Sequence, residues 1–185
     1  QGGHDETWGG VRINIDRSWV DLGIGSVPTS EPAHCGGVRL GFSSYAAQSA
    51  SRGSTSQRKA LQCLLTEQHL YGGPVDGTWS RATVVAVTGF QRRVKHRISG
   101  TFWVTDWVSL LSAGAAPVVK LGSASPSVRR VQRSLNAALG ADLTITGLFD
   151  GATQAKLRAY QTKLHLSATS VAAAPTWTAL QRGAL

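Results

Sequence analysis

The stretch at 75–91, VDGTWSRATVVAVTGFQ, returns seventy residues later as ITGLFDGATQAKLRAYQ at 145–161. The same ungapped offset pairs Gln62 with Gln132, Leu65 with Leu135, Gly77 with Gly147, Thr83 with Thr153, Gln91 with Gln161, Trp107 with Trp177 and Leu110 with Leu180. Conservative matches fill the gaps: Val75 with Ile145, Trp79 with Phe149, Val87 with Leu157 and Phe90 with Tyr160. A duplication this regular asks one local architecture to be built twice. Each copy alone buries only a modest core, so the expectation is two helical bodies side by side.

Hydrophobic spacing gives three helices per copy. The first runs over about 56–69, with Ala60, Leu61, Leu64 and Leu65 on one face, and its counterpart over about 127–139 shows Val128, Val131, Leu135 and Leu139. A serine precedes each as an N-cap. The second follows a glycine loop, with Ser80 and Asp150 at the cap positions and apolar residues at steps of three and four behind them. The third begins near Thr105 or Pro175, a proline that a first helical turn accommodates. Its Trp107 and Trp177 read as packing anchors.

Gly77 and Gly147 precede the second helix, where a tight turn needs a positive φ that glycine adopts without penalty. The join at 112–126, SAGAAPVVKLGSASP, is short enough to hold the two bodies close. Residues 1–50 are rich in glycine turns; their alternating stretch from Thr7 reads as one or two strands or as an extended wrap packed on the first copy. Trp8 and Trp19 there are either sugar-stacking surfaces or packing residues.

The formal charge of +9 draws the protein to polyanions. Residues 1–50 hold three basic side chains against five acidic ones, 51–125 hold nine against three and 126–185 seven against two, so the positive charge belongs to the duplicated part. Cys35 and Cys63 leave no odd thiol if they pair, which would staple the head to the first copy and point to an oxidising compartment; two buried thiols are the other reading. No apolar run approaches the roughly 18 residues of a membrane span. A start at Gln1 suits a mature secreted protein, and a trimmed fragment equally.

The run from Gln62 through LYGGPVDGTWSRATVVAVTGFQ to Trp107 and Leu110 resembles the bacterial three-helix peptidoglycan-binding module, and so does the second copy from KLGSASPSVRRVQRSLN onward. The family's Asp-Gly-x-Phe-Gly-x-x-Thr pattern survives in the first copy as Asp76, Gly77, Trp79 and Thr83, with Ser80 for its second glycine. In the second it survives as Gly147, Phe149 and Thr153, with Thr146 and Asp150 as departures; Asp106 departs again where the family has threonine before tryptophan. The resemblance implies a mainly α fold of two tandem three-helix domains, 51–114 and 118–185; residues 1–50, which it does not cover, are expected as an irregular extension packed on the first domain and tethered by a Cys35–Cys63 disulfide. It also implies secreted, non-covalent attachment to peptidoglycan or its anionic wall polymers, through a shallow groove that receives stem peptide or glycan.

Candidate groove residues are Tyr71, Trp79, Gln91, Phe149 and Gln161. Tyr71 and Trp79 flank the first glycine loop and either stack on sugar or pack; Gln91 and Gln161 either contact ligand or bond a loop carbonyl. No cofactor or metal site is expected, because the five histidines form no His-x-His or His-Glu-x-x-His pair. Glutamates occur only at 6, 31 and 67, and no nucleophile-elbow pattern is present, so the chain reads as a binding protein and not a wall hydrolase. The basic run QRRVKHR at 91–97 lacks a nucleic-acid recognition unit. The rival reading is a scaffold, built on drifted modules, that binds or inhibits another secreted protein.

Overall fold

The computed structural model describes residues 4–8, 11–15 and 34–185. Two strands, β1 (His4–Trp8) and β2 (Val11–Ile15), pair antiparallel with Trp8 opposite Val11. Six helices follow: α1 (Thr55–Glu67), α2 (Arg81–Arg93), α3 (Val104–Ser112), α4 (Pro126–Leu139), α5 (Gly151–Lys163) and α6 (Ala174–Gln181). The described chain is mainly helical. Trp19 lies outside the described residues, as does the side chain of Trp8.

Four helices start on an oxygen-bearing side chain that accepts an otherwise unpaired amide: Ser54 from Gln57, Ser80 from Thr83, Ser125 from Val128 and Asp150 from Thr153. The third helix of each half has no such cap. In α3 the third helical residue, Asp106, instead reaches back to accept the Trp103 amide at 2.9 Å, half of a capping box.

The two halves repeat their internal bonds. Gln62 is fully buried; its oxygen accepts from Gly77 N at 2.7 Å and its nitrogen donates to Thr78 O and Thr83 Oγ1. Gln132 makes the equivalent bonds to Gly147, Leu148 and Thr153. Gly77 and Gly147 sit at φ 81° and 80°, the left-handed turn that the glycine loop requires. Trp107 and Trp177 are both fully buried, and their indole N–H groups reach Ala46 O and Pro117 O. Short bridges pair Gln48 with Phe102 and Val119 with Ala172. The elements ahead of α1 and α4 therefore correspond at an offset of 71, one more than in the helices, because α1 is capped one residue earlier relative to its glutamine.

The two halves are packed directly on one another, and one continuous hydrophobic cluster runs through both. The most extensive helix–helix contact is between α3 and α4, across the join. The cause lies in α3, where every residue from Asp106 to Ser112 is buried. A helix buried on every side needs neighbours on every side, and α3 is enclosed by its own half and by α4. Its Val108 and Leu111 stand where α6 has the exposed Thr178 and the half-buried Gln181.

Cys35 and Cys63 form a disulfide with Cα atoms 5.8 Å apart. Residues 34–50 belong to the core: Leu40 and Tyr45 are buried, and the Tyr45 ring lies 5.1 Å from that of Trp107. The segment also touches the second half, where Asn136 Nδ2 donates to Phe42 O at 2.9 Å. No helix among the described residues is long and apolar enough to cross a membrane.

Candidate functional site

The five residues singled out from sequence fall in different surroundings. Tyr71 is buried, its hydroxyl donating to Pro74 O at 2.8 Å and accepting from Gln62. Trp79 is half-buried with the Arg58 guanidinium 5.9 Å from its ring centre. Phe149 is fully buried, and its backbone amide donates to Ser123 O. Gln91 is fully buried, donating to Thr101 O and Asp106 Oδ2 and accepting from Ser99 N. Gln161 donates to Val171 O and Thr176 Oγ1 and accepts from Ser170 N. Both glutamines thus brace the loop that joins the second and third helices of their half.

Of the five, Gln161 also lines an open cavity. This hollow, about 320 Å³, lies between the end of α5 and the start of α6. It is lined by Gln161 of α5, by His165, Leu166, Ser167, Thr169 and Val171 of the following loop, and by Ala173, Pro175 and Thr176 where α6 begins. A lining that mixes apolar side chains with hydroxyl and imidazole groups has the makings of a small-molecule or peptide site.

The equivalent positions of the α2–α3 loop are filled differently. His96, at the position of Leu166, places Nδ1 2.6 Å from Asp106 Oδ1 and Nε2 3.0 Å from the carbonyl oxygen of Arg182, which follows α6. Asp106, at the position of Thr176, is 1% exposed, and its other oxygen accepts from Gln91 and from the Trp103 amide. Both carboxyl oxygens therefore have partners. Trp103, where the second half has Ala173, is 42% exposed and donates its indole N–H to Ser99 Oγ.

Ser109 Oγ lies 3.4 Å from His96 Nε2, so a serine, a histidine and a carboxylate stand in line. Nε2 faces a carbonyl, which can only accept, and so carries a hydrogen; it has no free pair with which to take the serine proton. Ser109 is itself 2% exposed. The set is a brace between the halves.

A second brace sits beside it. Arg130 of α4 donates from its two terminal nitrogens to Ser112 O and Ala115 O, and Gln181 of α6 donates to Gly114 O at 2.9 Å. The carbonyls at the end of α3 are thereby satisfied by the other half.

The segment that contains this cavity is similar to a known family. Residues 124–180 match the model of a family described as a putative peptidoglycan binding domain. Searches of curated proteins and of solved structures each return no match. The matched segment opens at Ala124, which bridges to Leu148, and encloses α4, α5 and nearly all of α6. The matched segment thus holds all the lining residues of the cavity, from Gln161 to Thr176.

Sequence reasoning had passed over His96, Ser109, Trp103 and Arg130. Trp103 carried a signal, since it is a large aromatic opposite a small residue in an otherwise matched alignment.

Proposed function

We propose that the protein attaches non-covalently to peptidoglycan outside the cell, without cleaving it, through the cavity between α5 and α6. The observation that carries this reading is the coincidence of that cavity with the segment of the peptidoglycan-binding family. The apolar lining residues Leu166, Val171 and Pro175 suit the methyl groups of a stem peptide or lactyl ether. The hydroxyls of Ser167 and Thr169 and the ring of His165 suit its amide and carboxylate groups. The disulfide agrees with an oxidising location.

The α1–α3 half is a second copy of the module, drifted in its loops. The support is the recurrence of its buried glutamines, its left-handed glycine and its tryptophan bond. The net charge of +9 adds a long-range pull toward anionic wall polymers that salt weakens.

The test is sedimentation with insoluble peptidoglycan over a series of salt concentrations. Part of the protein should still pellet at high salt, where only close contacts survive. Complete release by salt would reduce the interaction to adsorption, and soluble sugar or peptide appearing in the supernatant would overturn the non-catalytic reading.

A further inference from the structure

The turn after α6 lies on the α2–α3 half at the place that corresponds to the open cavity of the α5–α6 half. Gly183, at φ 68°, packs so tightly that a Cβ there would stand 2.4 Å from Thr105 O, 2.8 Å from His96 Cε1 and 3.0 Å from Ser109 Oγ. Thr105 and His96 are the counterparts of Pro175 and Leu166, both of which line the cavity. The preceding residue, Arg182, presents its backbone carbonyl to His96 Nε2 at 3.0 Å.

His96 bridges a buried carboxyl group and a peptide carbonyl: Nδ1 lies 2.6 Å from Asp106 Oδ1, and Nε2, facing an oxygen that can only accept, donates to Arg182 O. Asp106 is in turn fixed by Gln91 and the Trp103 amide. The whole arrangement is a peptide-carbonyl receptor: a donor aimed outward, oriented by a buried carboxylate, beside a slot that admits only a side-chain-free residue. The second half has Leu166 and Thr176 there, which offer no such donor.

We infer that the α2–α3 half carries a second binding site, for a peptide segment of the wall, and that the chain's own turn at 182–184 occupies it, leaving one open site per molecule. The inference rests on the wall-binding reading for the nature of the displaced ligand. The self-contact does not depend on it. A wall stem peptide offers the same carbonyl groups and small side chains that Arg182 and Gly183 present, so the two compete for one slot.

Two variants vacate the slot by different routes. Gly183→Val places methyl groups where Thr105 O already stands. His96→Leu with Asp106→Thr installs the residues that the second half carries at 166 and 176, and so removes the donor without leaving a buried carboxylate unpaired. Amide hydrogen exchange at Gly183 and Ala184, whose N–H groups bond to Leu180 O and Ala179 O, reports release of the turn independently of any ligand. Calorimetry or equilibrium dialysis with soluble disaccharide-peptides, made from peptidoglycan by muramidase digestion, reports the number of sites.

The expected result is faster exchange at 183 and 184 in both variants, with one site per wild-type chain, two per Gly183→Val chain and one per double-variant chain, which has lost the His96 donor that the second site needs. No site in the wild type and one in Gly183→Val would still support self-occupancy while overturning binding by the α5–α6 cavity. One site in every protein despite a released turn, two sites already in the wild type, or unchanged exchange in both variants would overturn the inference. No site in any protein would overturn both readings.

Discussion

Arg130 lays its guanidinium 4.7 Å from the centre of the Trp177 ring while its two terminal nitrogens cap carbonyls at the end of α3. One side chain of α4 thus ties the buried aromatic of α6 to the last turn of the other half. A charged hydrogen bond contributes about 1.5–3 kcal/mol and a partly desolvated cation–π contact about 1 kcal/mol. Arg130→Leu is therefore expected to lower stability by about 3 kcal/mol in urea titrations. Arg130→Lys should recover less than half of that, because an ammonium cannot fork between two carbonyls while its charge lies flat on the ring. Equal stabilities for the leucine and wild-type proteins would show that the join holds without this residue.

Gly77 and Gly122 share a left-handed backbone, φ 81° and 84°, but not their surroundings. A Cβ at 77 would meet Thr55 Cγ2 at 2.7 Å and Thr55 O at 2.8 Å, whereas at 122 nothing lies within 4 Å. Gly122→Ala should cost only the backbone penalty, about 1–2 kcal/mol. Gly77→Ala adds a clash with a backbone carbonyl of α1 and pulls on the Gln62 bond, so its loss should exceed that of Gly122→Ala by about 2 kcal/mol. Paired denaturation curves decide it, and equal losses would mean that the loop at 77 moves freely.

These glycine loops were legible in the sequence because their requirements are local. A turn into a helix needs a positive φ and a capping oxygen, and both stand next to each other in the chain, as at Gly77 with Ser80 and Gly147 with Asp150. The buried tryptophans were legible for a related reason, since they recur at a fixed offset. The fusion of the two halves was not, although Val108 and Leu111 facing Thr178 and Gln181 carried the signal; a self-alignment draws attention to agreement, and this contact is written in the differences. The His96 brace was beyond reach, because its partner is a backbone carbonyl 86 residues away with no side-chain signature. Of the candidate groove residues, Gln161 reaches the cavity, while Tyr71 and Phe149 are drawn into the core by the same aromatic character that singled them out.

Asp150 gives a pH dependence of defined sign. Burial pushes its carboxyl upward, but hydrogen bonds from the Thr153 hydroxyl and amide more than offset this and hold it below the usual carboxylate range. A folded value depressed below the unfolded one means that the ionised cap stabilises the protein above the unfolded value of about 3.9, and that this stabilisation is lost as pH falls through the folded value. Asp150→Ala is therefore expected to cost about 1 kcal/mol near neutrality. The gap from wild type should shrink on acidification, whereas Asp150→Asn, with no carboxyl to titrate, should cap equally well at both ends of the range. Denaturation at neutral and strongly acidic pH checks this, and an alanine penalty independent of pH would remove the charge from the account.

The cavity can be closed using the protein's own alternative. Trp103 and Ala173 hold the same place, each immediately before the third helix of its half, and Ala173 lies at the cavity's edge. Trp103 stays largely outside the core, with its indole bonded to Ser99 Oγ on the adjoining loop. An indole at 173 would lie over the corresponding loop, where Thr169 already offers a hydroxyl, and so across the mouth of the cavity. Ala173→Trp is expected to leave the denaturation midpoint nearly unchanged, since the site is half-exposed, while weakening peptidoglycan sedimentation at high salt by roughly tenfold, the equivalent of about 1.4 kcal/mol. Low-salt adsorption should persist, because the net charge is untouched. Undiminished high-salt binding by a folded Ala173→Trp protein would place the wall contact elsewhere on the molecule.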